Sequence, residues 1–189
     1  GTISKTKIAA YRRGGIRRVS MGAQTFSDRE LSAIGRAHSS EMVFDSLRWL
    51  REGGFENINL DLMLGLPYQT RMSWKHNLET VAGLGIPHVS VYMLDLDDPC
   101  PLQTKVAEGA VLLPEDDLVS DLYLETIEFL ASCGYRQYEI SNFARPGYAC
   151  RHNLKYWKRK PVYGFGLGSH SFDGNTRWAN TSQMDDYLA

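Results

Sequence analysis

The sequence has few cysteines, no excess of either charge and no long apolar run, and each shortage excludes something. Only Cys100, Cys133 and Cys150 occur in 189 residues. They are odd in number, widely spaced and without a C-x-x-C pair, which argues against a disulfide framework and against a structural zinc site. Lys plus Arg (21) and Asp plus Glu (22) nearly cancel, so the chain lacks the basic face that a dedicated nucleic-acid binder needs. Two short basic clusters, Arg12-Arg13 with Arg17-Arg18 and Lys155 with Lys158-Arg159-Lys160, read as solvated helix ends and turns. No apolar run approaches the roughly 18 to 20 residues of a membrane span. The first residues carry no signal-peptide pattern, and a reducing cytoplasm is the expected setting. The chain opens on Gly1 without an initiator methionine, and with the missing elements described below it reads as a fragment.

What is present is a repeat. An amphipathic helix, a glycine stop and a β-rich strand recur as Ala9 to Gly15 then Ile16 to Met21, Leu47 to Gly54 then Asn57 to Leu64, Leu78 to Gly85 then His88 to Leu94, and Ile127 to Gly134 then Tyr135 to Ser141. Each glycine falls where a left-handed residue would close the last helical turn. Strands alternating with helices predict an α/β fold built from parallel βα units. Three such strands cannot close a barrel and would leave an unpaired edge. Pro114 is expected to begin a long helix with an acidic first turn and an apolar stripe of Leu118, Leu122, Ile127 and Leu130. From about residue 96 the regular repeat gives way to short strands and glycines, which predicts a second region over 96–189 after a barrel piece over 1–95.

In βα barrels the working groups stand at the carboxyl ends of the strands. Reading each strand to its end yields Gln24, Asp61 and Asp95, with Arg36 in the segment after the first strand. An amide, a guanidinium and a carboxylate in one cleft could hold a ligand with an amino-acid end and a ribose. Each also has a plainer reading, as a structural hydrogen bonder or a surface residue. Asp61 is the least plain, because an inward carboxylate needs a partner or a task.

Gly22-Ala23-Gln24-Thr25-Phe26, Ile34-Gly35-Arg36-Ala37-His38 and Asp61-Leu62-Met63-Leu64-Gly65-Leu66-Pro67 resemble successive blocks of the HemN/HemW family of radical S-adenosylmethionine proteins. The resemblance runs from about Ile16 to the end of the chain. It implies the later half of a partial TIM-type barrel followed by a smaller α+β region, truncated here. It also implies that Gln24, Arg36 and Asp61 contact S-adenosylmethionine. The family's C-x-x-x-C-x-x-C motif for a 4Fe-4S cluster and its Gly-rich block are expected upstream of Gly1. This chain alone is therefore expected to hold no cluster and to generate no adenosyl radical. Leu167 and Ser169 stand where the family usually has small alanines.

The segment from Tyr138 to Gly147, followed by Arg151-His152-Asn153-Leu154-Lys155-Tyr156-Trp157, resembles the heme-chaperone branch of that family, HemW, more than its oxygen-independent coproporphyrinogen III oxidases. The resemblance implies heme binding at the H-N-x-x-Y-W element, with His152 as an axial ligand and Tyr156 and Trp157 lining the porphyrin. Covalent c-type attachment is excluded, since no C-x-x-C-H precedes it. A packing role, with His152 on a backbone carbonyl, Asn153 fixing a turn and Trp157 filling the interface with the barrel, stays open. His170, in Gly168-Ser169-His170-Ser171-Phe172, is expected to be a buried hydrogen bonder. His38, His76 and His88 carry no comparable context. The leading expectation is a heme chaperone that binds heme and S-adenosylmethionine and serves heme-accepting proteins. The alternative is oxidative decarboxylation of coproporphyrinogen III. An unrelated small enzyme using Asp61 and His170 as acid and base would need its whole site within these residues.

Overall fold

Within Asn57–Leu64 the residues at every second position from Ile58 onward are apolar and fully buried, and this strand lies inside a mixed sheet, paired on both sides. The computed structural model describes residues 3–97 and 99–189. The chain divides into two compact units, Gly1–Tyr148 and Ala149–Ala189. In the first, the elements follow as α1 (Lys5–Arg13), β1 (Arg18–Gln24), α2 (Asp28–Ala33), α3 (Ser40–Glu52), β2 (Asn57–Leu64), α4 (Arg71–Leu84), β3 (His88–Met93), α5 (Pro101–Ala107), α6 (Asp116–Ser132), β4 (Arg136–Glu139) and β5 (Asn142–Ala144). The second holds α7 (Arg151–Trp157), β6 (His170–Phe172), β7 (Arg177–Ala179) and α8 (Met184–Leu188).

Local chemistry starts these helices, and the glycines expected from the sequence stop them. Ser39 caps α3 through the Met42 amide, and Thr70 and Ser73 form a reciprocal capping box on α4. Gly15, Gly54, Gly85 and Gly134 all take positive φ at the ends of α1, α3, α4 and α6, a conformation that only glycine adopts without strain. The long helix starts two residues after Pro114, at Asp116, with Asp116 and Asp117 in its first turn.

The sheet runs β1-β2-β3-β5-β4, with β1 at one edge. β1, β2 and β3 pair in parallel, whereas β3 with β5 and β5 with β4 are antiparallel. The expected parallel α/β sheet is therefore present, but its fourth strand differs from expectation. The chain turns at Ile140-Ser141 into a hairpin, and buried Phe143 and Ala144 of β5 take the place beside β3. β4 keeps the direction of the parallel set yet stands one strand further out. The regular repeat ends after β3, while the first compact unit continues through this hairpin to Tyr148.

One face of the sheet forms the core. Ile58, Leu60, Leu62 and Leu64 of β2 meet Val43, Leu47 and Leu50 of α3, Trp74, Leu78 and Val81 of α4, and Leu122 and Leu130 of α6. Each such side chain contributes about 1.5–3 kcal/mol by leaving water. Trp74 donates its indole N–H to Thr126 at 2.8 Å, which satisfies a fully buried donor. The alternate residues of β2, namely Asn57, Asn59, Asp61 and Met63, stand on the opposite, inner face.

Candidate functional site

The inner face of the sheet is polar where a packing surface would be apolar. Ser20 of β1 is the register partner of Asn59, which is in turn the partner of His88 on β3, and Asp61 is the partner of Ser90. Asn59 donates its amide N–H groups to Asp61 Oδ1 and Ser20 Oγ, both at 2.7 Å, and approaches Ser90 Oγ at 3.0 Å. The Ser20 hydroxyl stands 3.4 and 3.3 Å from the two Asp61 oxygens. Ser90 donates to Asn142 at 2.7 Å, and Asn142 donates to the Glu139 carboxylate. His88 is fully buried, with Nδ1 2.5 Å from Asn59 Oδ1 and Nε2 2.8 Å from the Tyr138 hydroxyl. Its pKa is lowered to about 4, first by burial and then by the positive charge of Arg18, so the ring is neutral at pH 7.

Gln24 joins this face by a backbone device. The β1–β2 register slips between Gly22 and Gln24, and Gln24 has φ +67°, a left-handed conformation costing a non-glycine residue about 1–2 kcal/mol. A bulge of this kind re-aims a side chain. A Cβ on Gly22 would lie 2.5 Å from Gln24 Nε2, so the Gln24 amide occupies the space that glycine leaves open. Gly22 and Asp61 are register partners, and their side-chain positions share a face. The Gln24 amide is thereby brought to the face that carries Asp61. Its Oε1 is buried with no hydrogen-bond partner among the described residues, an arrangement that normally costs about 1–3 kcal/mol unless a ligand or water donates.

Arg36 follows Gly35 in the loop between α2 and α3 and is exposed. It lines a cavity of about 570 Å³ together with Ser20, Gly22 and His38. A second cavity of about 440 Å³, lined by Arg36, Met63, Asp95 and Lys105, opens beside it. Asp95 is occupied locally, accepting the Asp97 amide at 2.8 Å. His38 approaches the Ala23 carbonyl at 3.3 Å, a packing role. Among the described residues no group of three His, Cys, Asp or Glu side chains is placed to hold a metal ion.

Two polar clusters escaped the reading of the sequence. One is the inner ladder around His88, a residue that had shown no functional context. Its signal was the alternation Asn57, Asn59, Asp61 on β2 and His88, Ser90 on β3, which puts these groups on one face once the strands pair. The other lies where β1 and β2 end. Glu30, buried in α2, accepts from the Thr25 hydroxyl at 2.7 Å and from Gln69 at 3.4 Å, and Asn77 accepts the Phe26 amide at 2.8 Å. Gln69 also accepts the Gly65 amide at 2.7 Å and donates to the Met63 carbonyl. These bonds fix the turns that present Gln24 and close β2.

The second unit carries the H-N-x-x-Y-W element as helix α7. His152 and Tyr156, four residues apart, share a helix face, with rings edge-on and centroids 5.2 Å apart. His152 is exposed, as are Tyr156 and Trp157, the latter at 54%. His170 corrects an expectation: it lies exposed at the start of β6, while its neighbour Ser171 is the buried residue, accepting the Gly164 amide at 2.9 Å. Alternation along the β6–β7 hairpin turns the two residues to opposite sides.

Comparison with known proteins converges on one family. Residues 1–94 match the model of the radical SAM superfamily. The chain is 38% identical over 186 residues to the heme chaperone HemW of Bacillus subtilis, covering 98% of this chain and 49% of that protein. It is 36% identical over 188 residues to the heme chaperone HemW of Lactococcus lactis, covering 100% of this chain and 50% of that one. The chain thus spans about half the length of these curated relatives. The solved structure of Escherichia coli coproporphyrinogen III oxidase (HemN), described as a radical SAM enzyme, superposes with a TM-score of 0.77 at 26% identity, covering 97% of this chain and 45% of that one. The α/β architecture, the polar inner face and these likenesses together establish that the chain belongs to the radical SAM superfamily and, within it, to the HemN/HemW family.

Proposed function

We propose that this chain forms the later part of a heme chaperone of the HemW type, its first unit binding the adenosyl portion of S-adenosylmethionine and its second unit carrying a heme ligand. The observation behind the first half is the unpartnered, buried Gln24 carbonyl on the same inner face as the Asp61 carboxylate. Two acceptors in such a place suit a ligand rich in hydroxyl and ammonium donors, and Arg36 at the cavity wall suits a carboxylate. S-adenosylmethionine supplies radical chemistry only beside a reduced iron–sulfur cluster. The described residues do not fit such a cluster, so their own part is to bind and orient the adenosyl group.

For heme, exposed His152 offers an imidazole to iron, and Tyr156 on the same helix face offers a ring to a flat macrocycle. Trp157 lies roughly 100° further round α7 and would meet the macrocycle at its edge. The chaperone would act in the cytoplasm, where heme-accepting proteins are its partners. Among the described residues, no helix is long and apolar enough to cross a membrane. Heme titration of His152→Ala against His76→Ala tests this reading; His76 is exposed on α4 and serves as the peripheral control. Loss of the Soret shift in the first variant alone is expected, and equal spectra would remove His152 from the site. His88, buried in the polar ladder, is unsuitable as that control.

The likeness to HemN sustains a second reading, oxidative decarboxylation of coproporphyrinogen III. Conversion of the porphyrinogen by the full-length protein under anaerobic conditions would favour it over the chaperone.

A further inference from the structure

His88 is a buried group that the proposed ligand contacts leave unused. Its surroundings fix its protons. Asn59 Oδ1, 2.5 Å from His88 Nδ1, is a carbonyl oxygen and can only accept. Nδ1 therefore carries the ring proton, and Nε2 of the neutral ring accepts from the Tyr138 hydroxyl at 2.8 Å. Asn59 is held in turn. Its Oδ1 points at His88 while its Nδ2 points at Asp61 Oδ1 and Ser20 Oγ, both 2.7 Å away. Flipping the amide would set an N–H against the His88 N–H and a carbonyl against the Asp61 carboxylate, two repulsive contacts in a buried setting.

The consequence falls on Asp61. Its Oδ1 is engaged by Asn59, whereas Oδ2 meets, among the described residues, only the Ser20 hydroxyl, whose Oγ lies 3.3 Å from Oδ2 and 3.4 Å from Oδ1 and has one proton to share between them. We propose that His88 is a positioning residue: it locks the Asn59 amide, which turns Asp61 so that Oδ2 is presented to a ligand's vicinal hydroxyls. The inference rests on the adenosyl reading of the inner face. Neutrality of the ring supports it, because a protonated His88 would lose the bond from Tyr138 and disturb the ladder.

Two measurements on the 189-residue chain test this. The first needs no ligand: the nitrogen-15 resonances of the His88 ring at pH 7 should show a protonated Nδ1 and a bare Nε2. The opposite tautomer would overturn the proposal. The second uses S-adenosylhomocysteine as the probe, titrated by calorimetry. The shorter amide of His88→Asn keeps an N–H donor near the Nδ1 position, whereas that of His88→Gln reaches towards Nε2. Affinity near wild type is expected for His88→Asn, and a loss of about tenfold for His88→Gln, the scale of one misdirected hydrogen bond. In an Asp61→Ala background the two variants should bind alike, since the lock then has nothing to hold. A general packing defect would weaken binding equally in both backgrounds and would refute the positioning role. Failure of the wild-type chain to bind the probe would instead bring down the adenosyl reading itself, and this proposal with it.

Discussion

Lowering the pH from 7 to 4 should destabilise the first unit through His88. The ring is fully buried, and its pKa falls to about 4, by burial first and by Arg18 second, against 6.5 for an ordinary histidine. Above pH 6.5 the ring is neutral in both folded and unfolded chains and contributes no slope. Between 6.5 and about 4 the unfolded chain binds the proton and the folded chain does not, so stability falls as the pH falls. Below about 4 both states are protonated and the loss stops growing. Integrated across that window the loss is about 3 kcal/mol, on the order of 1.4 kcal/mol for each pH unit. The other charged or titratable groups near the ladder are Arg18, Asp61, Glu139 and Tyr138. The informative quantity is therefore the difference between wild type and His88→Asn, which lacks the titrating ring. Urea unfolding at pH 7, 6, 5 and 4 should show the wild type losing about 3 kcal/mol more than the variant. Parallel pH profiles for the two proteins would refute the assignment of a neutral, buried imidazole.

Further outcomes follow from the geometry. Gly22→Ala should cost little stability, because its Cβ meets only the far end of the Gln24 side chain at 2.5 Å; the displaced amide should weaken S-adenosylhomocysteine binding about tenfold in calorimetry. Thr126→Val should cost about 1–3 kcal/mol in thermal or urea unfolding, because it leaves the buried Trp74 indole N–H without its acceptor. Anaerobic reconstitution of the 189-residue chain with iron and sulfide should leave no stoichiometric cluster. Cys100, Cys133 and Cys150 form no ligand group, and a bound 4Fe-4S cluster by iron and sulfide analysis would contradict that arrangement.

Local order was legible in the sequence because it depends on residues near one another. Capping side chains, glycines just past helix ends and alternation along Asn57–Leu64 define α3, α4 and β2 with little help from the rest of the chain. The likeness of short blocks such as Asp61 to Pro67 likewise pointed to the family before any strand was paired. The tertiary structure decided what depends on pairing across tens of residues. The alternation of His88 and Ser90 sets the face of the histidine but not its burial, which arises because register sets it beside Asn59 and the β4–β5 hairpin covers it with Tyr138. Gln24 read as the polar end of a strand, but a left-handed residue and a slip in the β1–β2 register aim its amide over Gly22. The fourth strand of the repeat keeps its direction as β4 but stands one place further out, because the short turn at Ile140-Ser141 returns apolar Phe143 and Ala144 to the place beside β3. A sequence displays which side chains can meet on one face of one element; only the folded sheet fixes which faces meet, because register and burial are properties of distant residues in contact.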